Sequence, residues 1–168
     1  MEQINKKILV DSLDLTDIKL LEALQRDASL SNQALAEQVC VSPPTCLRRV
    51  KRLRDAGLIE RQVALLSPDK LSVLLGHGLT AIIEITLDRQ SVASLEAFEA
   101  KVALECAVQQ CYRVSPGPDF ILVVHVLDMP HYLTLTQRLL TDDANVRNVK
   151  AFFSTKRSKF EPKVLLQH

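Results

Sequence analysis

The residues of this chain best suited to chemistry are cationic. Five of the seven residues from Arg48 to Arg54 are Lys or Arg, in a chain of 168 residues whose formal net charge is only +1. Guanidinium and ammonium groups at this density bind anions, and an arginine fork matches phosphate oxygens or a guanine edge in two-pronged geometry. A concentrated basic helix on a near-neutral chain points to a localised anionic partner, and such a helix fits the major groove of DNA. The bland alternative is a solvated charged face. Three features favour DNA. The face is almost purely positive, broken only by Asp55, and it follows a correctly spaced helix–turn–helix. Its N-terminal end offers Ser42, Pro44 and Thr45, small groups able to approach base edges. On this reading Thr45 and Arg48 read bases, Ser42 and Pro44 lie at the groove edge, and Arg49, Lys51 and Arg52 contact phosphates.

The other reactive side chains form no comparable constellation. Cys111 and His125 could be a nucleophile and its base, but both fall in expected strands and no Asn or Asp is placed to orient the imidazole. His125 reads instead as a polar residue in or beside a subunit interface. His77 and His131 have no ligand partner at metal spacing. Cys40, Cys46, Cys106 and Cys111 show neither a CxxC pair nor the Cys/His spacing of zinc sites, so reduced thiols are expected. With no Walker motif and no GxGxxG, the sequence calls for no metal, no cofactor and no catalytic residue. Asp119 stands apart. It follows Pro116-Gly117-Pro118 directly before an apolar strand, where main-chain amides can converge on a carboxylate. Its plain role is a turn residue satisfying local N–H groups.

Three helices must position the basic face. The first spans about 15 to 27: Ile18, Leu21 and Leu24 repeat at helical spacing, Leu20 widens the stripe, Thr16 is the expected N-cap, and Asp17 suits the positive end of the helix dipole. The second begins at the N-cap Ser31, with Leu35 and Val39 on one face and Ala36 small enough for close helix approach. The turn is Cys40-Val41-Ser42. The third has Ser42 as N-cap, Pro43 at the first helical position and Gly57 just past its end. Cys46, Val50 and Leu53 make its buried stripe, broadened by Leu47, with Arg49 and Arg54 on the flanks.

The second half alternates strands and helices. Residues 60–75 read as a linker strand with a turn at Ser67-Pro68-Asp69. From Leu79 to Leu87 the alternation is strict, with Leu79, Ala81, Ile83, Ile85 and Leu87 on one face and Thr80, Ile82, Glu84 and Thr86 on the other. Ser91 caps a helix carrying Val92, Leu95, Phe98 and Val102. Strands near 107–115 and 120–127 flank a Pro/Gly turn. Asp128 caps a helix bearing Tyr132, Leu135 and Leu139, and a last strand lies near 146–155. The order β-α-β-β-α-β is that of a ferredoxin-like sandwich. The strand at 120–127 is apolar on both faces apart from His125, so the sheet face without helices needs a partner.

Composition agrees with two small packed domains: hydrophobic content is 47%. No apolar run approaches the ~20 residues that span a bilayer, and the N-terminal apolar stretch is too short for a signal peptide, so the expected location is the cytosol, away from membranes. The expected fold class is α+β, with a (winged) helix-turn-helix domain over 1–60, a linker strand over 61–75, and a ferredoxin-like βαββαβ domain for sensing and oligomerisation over 76–168.

Residues 13–59, LDLTDIKLLEALQRDASLSNQALAEQVCVSPPTCLRRVKRLRDAGLI, resemble the N-terminal domain of the Lrp/AsnC (feast/famine) family of transcription regulators. The pieces that carry the resemblance are Leu13-Asp14, Asp17, Ser31-Asn32, Leu35-Ala36, Val41-Ser42, Cys46, Arg49-Val50, Leu53 and Gly57-Leu58-Ile59. It continues through ITL at 85–87, CYRVSPGPDF at 111–120, Asp128-Met129 and the late KRSKF. There are two departures. Cys40 stands where the family usually has Gly, and the family's Gly-x-x-Asp loop reads Pro116-Gly117-Pro118-Asp119, with the aspartate kept and the glycine displaced by one. The resemblance implies double-stranded DNA as partner and a homodimer, paired sheet to sheet, that assembles further to a tetramer or octamer. It also implies an amino acid or related small metabolite as effector, near Gly117, Asp119 and Met129. A rival reading is a ferredoxin-like metabolic enzyme or enzyme-regulatory subunit with a helical interaction module. Retention on heparin despite a near-neutral pI separates the two.

Overall fold

The computed structural model describes residues 13–76 and 78–166. The chain divides into two units, one running to Leu65 and including the segment from Phe160, the other Leu66–Lys159. This differs from a simple linear division: the chain's last segment belongs with the helices, not with the sheet. The expected linker strand is also absent. Residues 60–67 have no regular structure, and a helix occupies Pro68–Leu75. The Ser67 hydroxyl accepts from the Lys70 N–H and Pro68 takes the first helical position, so Ser-Pro is a helix start here, not a turn.

In the first unit α1 is Leu15–Arg26, α2 Asn32–Gln38 and α3 Pro43–Asp55. Leu20, Leu21, Ala23, Leu35, Ala36, Val39, Cys46 and Leu53 form its core. Three local expectations are corrected. The N-cap of α1 is Asp14, not Thr16: Asp14 Oδ1 accepts from the Asp17 N–H at 2.9 Å, and Asp17 Oδ2 accepts from the Asp14 N–H at 3.3 Å. Two carboxylates three residues apart satisfy each other's amides, a reciprocal cap a single threonine cannot make. Ser42 holds the N-cap position of α3 but makes no side-chain cap bond; its hydroxyl pairs with Thr45 Oγ1 at 2.9 Å. Leu47, expected to widen the buried stripe, is 61% exposed. At about 100° per residue it lies a quarter-turn from Cys46, outside the stripe. The ends of α2 and α3 follow one scheme. Gly57 at φ 74° lets Leu58 N donate to Leu53 O at 3.0 Å, and Cys40 at φ 57° lets Val41 N donate to Ala36 O at 3.0 Å.

The second unit opens with α4 (Pro68–Leu75). It continues β1 Leu79–Leu87, α5 Val92–Ala103, β2 Val108–Arg113, β3 Phe120–Val126, α6 Met129–Thr136 running into a π-helical turn at Gln137–Thr141, and β4 Val146–Phe153. The sheet order is β2-β3-β1-β4 and every pairing is antiparallel, the ferredoxin-like topology. Ala81, Ile83, Ile85 and Leu87 of β1 and Phe120, Leu122, Val124 and Val126 of β3 bury against Phe98 and Val102 of α5 and Tyr132 and Leu135 of α6. Val92, counted on the inner stripe of α5 from spacing, is exposed at the first turn. The opposite face carries Ile82, Ile121, Val123, Tyr112 and Phe152, brought together by the registers Ile82↔Val123, Ile82↔Phe152 and Ile121↔Tyr112. No helix among the described residues is long and apolar enough to cross a membrane.

Candidate functional site

Helix α3 presents Ser42, Pro44, Arg48, Lys51, Arg52 and Arg54 to the exterior, with Thr45 half-buried beside them. The stripe Cys46–Leu53 anchors the helix on its other side, so the charges project from a rigid element. Among the described residues Arg48 and Lys51 have no ion-pair partner. A shallow basin on this surface is lined by Arg48, Arg49 and Arg52.

Arg49 and Arg52 are placed differently from their sequence reading. Arg49 Nη1 reaches Asp14 Oδ2 at 2.7 Å and Asp17 Oδ1 at 2.9 Å, and Arg52 Nη2 bonds Asp17 Oδ2. The Asp17 side chain is completely buried. Two of the three residues assigned to DNA phosphates are thus held by acids of α1. The Asp14 carboxyl is kept below the usual carboxylate range, first by the Asp17 N–H and then by the Arg49 guanidinium. Arg49 is pushed up in turn, mainly by its bond to Asp14. Sequence reasoning missed Asp14 and Asp17. The signal was available: Asp17 lies on the apolar stripe of α1, three and four residues before Leu20 and Leu21. A carboxylate there must bury, and a buried carboxylate needs a cation opposite.

In the second unit Asp119 ties its loop to the end of β1. Its Oδ2 accepts from the Leu87 N–H at 2.7 Å and from Gln90 Nε2 at 3.3 Å, while its own N–H donates to Ile85 O at 2.8 Å. Gly117 takes φ 120°, a conformation that disfavours any side chain, with open space where a Cβ would stand. Met129, the first residue of α6, is 42% exposed. The structure does not bring these three residues together within one chain. The Gly117–Asp119 loop precedes β3 and Met129 follows it, so the seven residues of β3 separate them by roughly 20 Å. Asp128 caps α6, accepting from the His131 N–H at 2.9 Å and pairing with His131 Nδ1 at 2.6 Å.

Cys111 and His125 make no dyad. Cys111 pairs with Leu122 in register and so belongs to the sheet face that carries the helices, but at the edge strand it is exposed. His125 lies on the open face, its Nδ1 3.0 Å from Thr80 Oγ1. His77 is outside the described residues. All four cysteines are free, and the described residues contain no cluster of three metal-ligating groups.

Residues 80–164 match the model of the Lrp/AsnC ligand binding domain, and residues 13–60 that of a winged helix-turn-helix DNA-binding domain. An uncharacterized HTH-type transcriptional regulator of Haemophilus influenzae is 34% identical over 161 residues, spanning 96% of this chain and 94% of its own length. The leucine-responsive regulatory protein of the same organism is 38% identical over 141 residues, 84% of this chain and 82% of that protein. A crystal structure of a transcriptional regulator from Neisseria meningitidis in complex with L-Met superposes with a TM-score of 0.80 at 35% identity, over 94% of this chain and 99% of that one. These relatives are regulators and not enzymes, which sets the enzyme reading aside. An exposed basic recognition helix on a helix-turn-helix, followed by a ferredoxin-like domain of the ligand-binding type, places the chain in the Lrp/AsnC family of DNA-binding transcriptional regulators.

Proposed function

We propose that this regulator acts in the cytosol as a homo-oligomer that reads DNA through α3 and senses a free amino acid through its second domain. The observation that carries the DNA reading is the exposed face of α3, where Arg48 and Lys51 stand without acidic partners beside Thr45, Ser42 and Pro44. Thr45 and Arg48 read base edges, and Lys51 holds a phosphate. The effector reading is supported by the ligand-binding domain match and by the L-Met complex of the Neisseria relative. A site using both the Gly117–Asp119 loop and Met129 draws them from two copies, because one copy holds them at opposite ends of β3. The apolar open face of the sheet supplies the surface for a homodimer, which can build to a tetramer or octamer and carry two recognition helices to two half-sites. Effector binding at a subunit junction would then alter promoter occupancy through assembly.

Selection of bound duplexes from random sequence, repeated with each amino acid present, tests the proposal. The expected result is one enriched motif whose recovery changes with one or a few amino acids. Absence of any enriched motif overturns the DNA assignment of α3; enrichment indifferent to all amino acids overturns the effector assignment.

A further inference from the structure

Asp17 is buried outright, and both of its oxygens are engaged by arginines of the recognition helix. Arg49 is shared with Asp14, and Arg52 retains an exposed flank, its side chain 42% accessible. The pairing has two consequences. It pins α3 to α1, since separating them would leave a carboxylate unpaired in an apolar interior. It also changes the charge that α3 presents: five basic residues stand between Arg48 and Arg54, but two are already neutralised within the chain.

We infer that Asp17 is a specificity-setting positioning residue that withholds Arg49 and Arg52 from the DNA backbone. Phosphate contacts carry no sequence information, whereas base-edge contacts do. Every arginine free to take a phosphate raises affinity for all DNA alike. By holding two of the five, Asp17 leaves Arg48, Lys51 and the flanking Arg54, with Thr45, to dominate the interface, and the ratio of specific to non-specific binding rises. The inference rests on the DNA-binding reading of α3, and its test separates the two.

The test measures the dependence of log Kobs on log salt for the full-length protein, on a selected operator and on a scrambled duplex of equal length. Each phosphate neutralised contributes about −0.9 to the slope. In Asp17→Asn the carboxylate is gone, Arg52 is released and Arg49 keeps only Asp14, so the slope should steepen by about 1. Affinity for the scrambled duplex should rise, and discrimination between the duplexes should fall. A merely structural Asp17 would lower thermal stability and leave slope and discrimination alone; that outcome overturns the inference. Arg52→Gln gives an independent arm should Asp17→Asn fail to fold. Already neutralised, Arg52 should leave the wild-type slope unchanged when removed, and a slope shallower by about 0.9 overturns the inference. Arg48→Gln is the reference. It should make the slope shallower or relax base preference, and if it does neither, the fault lies with the DNA reading of α3 itself.

Discussion

Gln25 and Val164, 139 residues apart, exchange two hydrogen bonds: Gln25 Nε2 donates to Val164 O at 3.2 Å, and Val164 N donates to Gln25 Oε1 at 2.6 Å. The side-chain amide of α1 imitates a strand neighbour for this late segment, and Leu166 packs against the helix core. Truncation after Lys159 should therefore destabilise the helical unit and not the sheet unit. Two exposed hydrogen bonds and one partly buried leucine sum to about 1–3 kcal/mol. Calorimetry should show a helical-unit transition that moves down while the sheet transition stays. Gln25→Ala should reproduce about 0.5–1.5 kcal/mol of the loss. An unmoved helical transition in the truncated protein refutes the role of the segment.

Cys40 is the one non-glycine residue with positive φ among the described residues, at 57°. The left-handed region costs a residue with a Cβ about 1–2 kcal/mol, and glycine's extra freedom in the unfolded chain returns about 0.5–1 of that. Cys40→Gly should stabilise the protein by about 0.5–1 kcal/mol, read as a higher denaturant midpoint at unchanged slope. Cys40→Val should do the opposite, because branching at Cβ crowds this conformation further.

The capping box of α1 predicts an acid response. The Asp14 carboxyl is held below its ordinary range by the Asp17 N–H and by Arg49. A carboxyl whose folded pKa is lowered gives stability that is present above its unfolded pKa and lost as pH falls through the folded one. Melting temperature should thus fall below about pH 4. Asp14→Asn should be less stable than wild type at neutral pH, and the two should converge in acid. Asp14 is half exposed, so solvent screening keeps the difference modest. Parallel curves at all pH values would rule out this origin.

What could be read from the sequence and what could not divide along contact distance. Ser31, Ser91, Asp128 and Gly57 act on amides or carbonyls a few residues away, and each was legible as a cap. The strict alternation of β1 gave its buried face because one side meets helices along its whole length. Asp17 is the first-turn acid that its position suggested, and its place on the apolar stripe signalled burial, but its arginine partners lie 32 and 35 residues on, where no local pattern names them. The pairing of Arg49 and Arg52 with those acids was equally out of local reach. The fold-back at Val164 had no local signal at all. The separation of Met129 from Asp119 follows from β3 lying between them, and the strand expected at 120–127 already implied it.

Asp119 carries two duties that one substitution can separate. Its Oδ2 accepts the Leu87 N–H at 2.7 Å, holding the loop to β1. Under the effector reading, its negative charge also faces an α-ammonium group. Asp119→Asn keeps a side-chain carbonyl for Leu87 and removes the charge, so the fold and DNA binding should persist while amino-acid binding is lost. Asp119→Ala leaves a partly buried amide unpaired and should cost about 1–3 kcal/mol of stability besides. Calorimetric titration against the twenty amino acids decides it. Wild-type binding in the micromolar to millimolar range, roughly −4 to −8 kcal/mol, is expected; equal binding by Asp119→Asn removes the charge from the mechanism.

Val123 and Val124 are adjacent in β3 and face opposite ways. Val124 is fully buried in the sheet–helix core, and Val123 lies on the open face, opposite Ile82 on β1 and Gln110 on β2. Ile121, Phe152 and Tyr112 make an apolar patch with Val123 on a face that also carries Glu84, Lys150 and His125, and an aspartate at the centre of that patch would be desolvated by any subunit packed there. Wild-type protein should therefore scatter light as a dimer or larger species at micromolar concentration. Val123→Asp should give smaller or insoluble species, and the smaller form should keep the helical circular-dichroism signal of a folded chain. Val124→Asp should unfold the second domain itself, because its charge would be buried without a partner in the monomer. The contrast between the two neighbours distinguishes an interface from a core. A wild-type protein that stays monomeric at micromolar concentration would mean that this face is left to water.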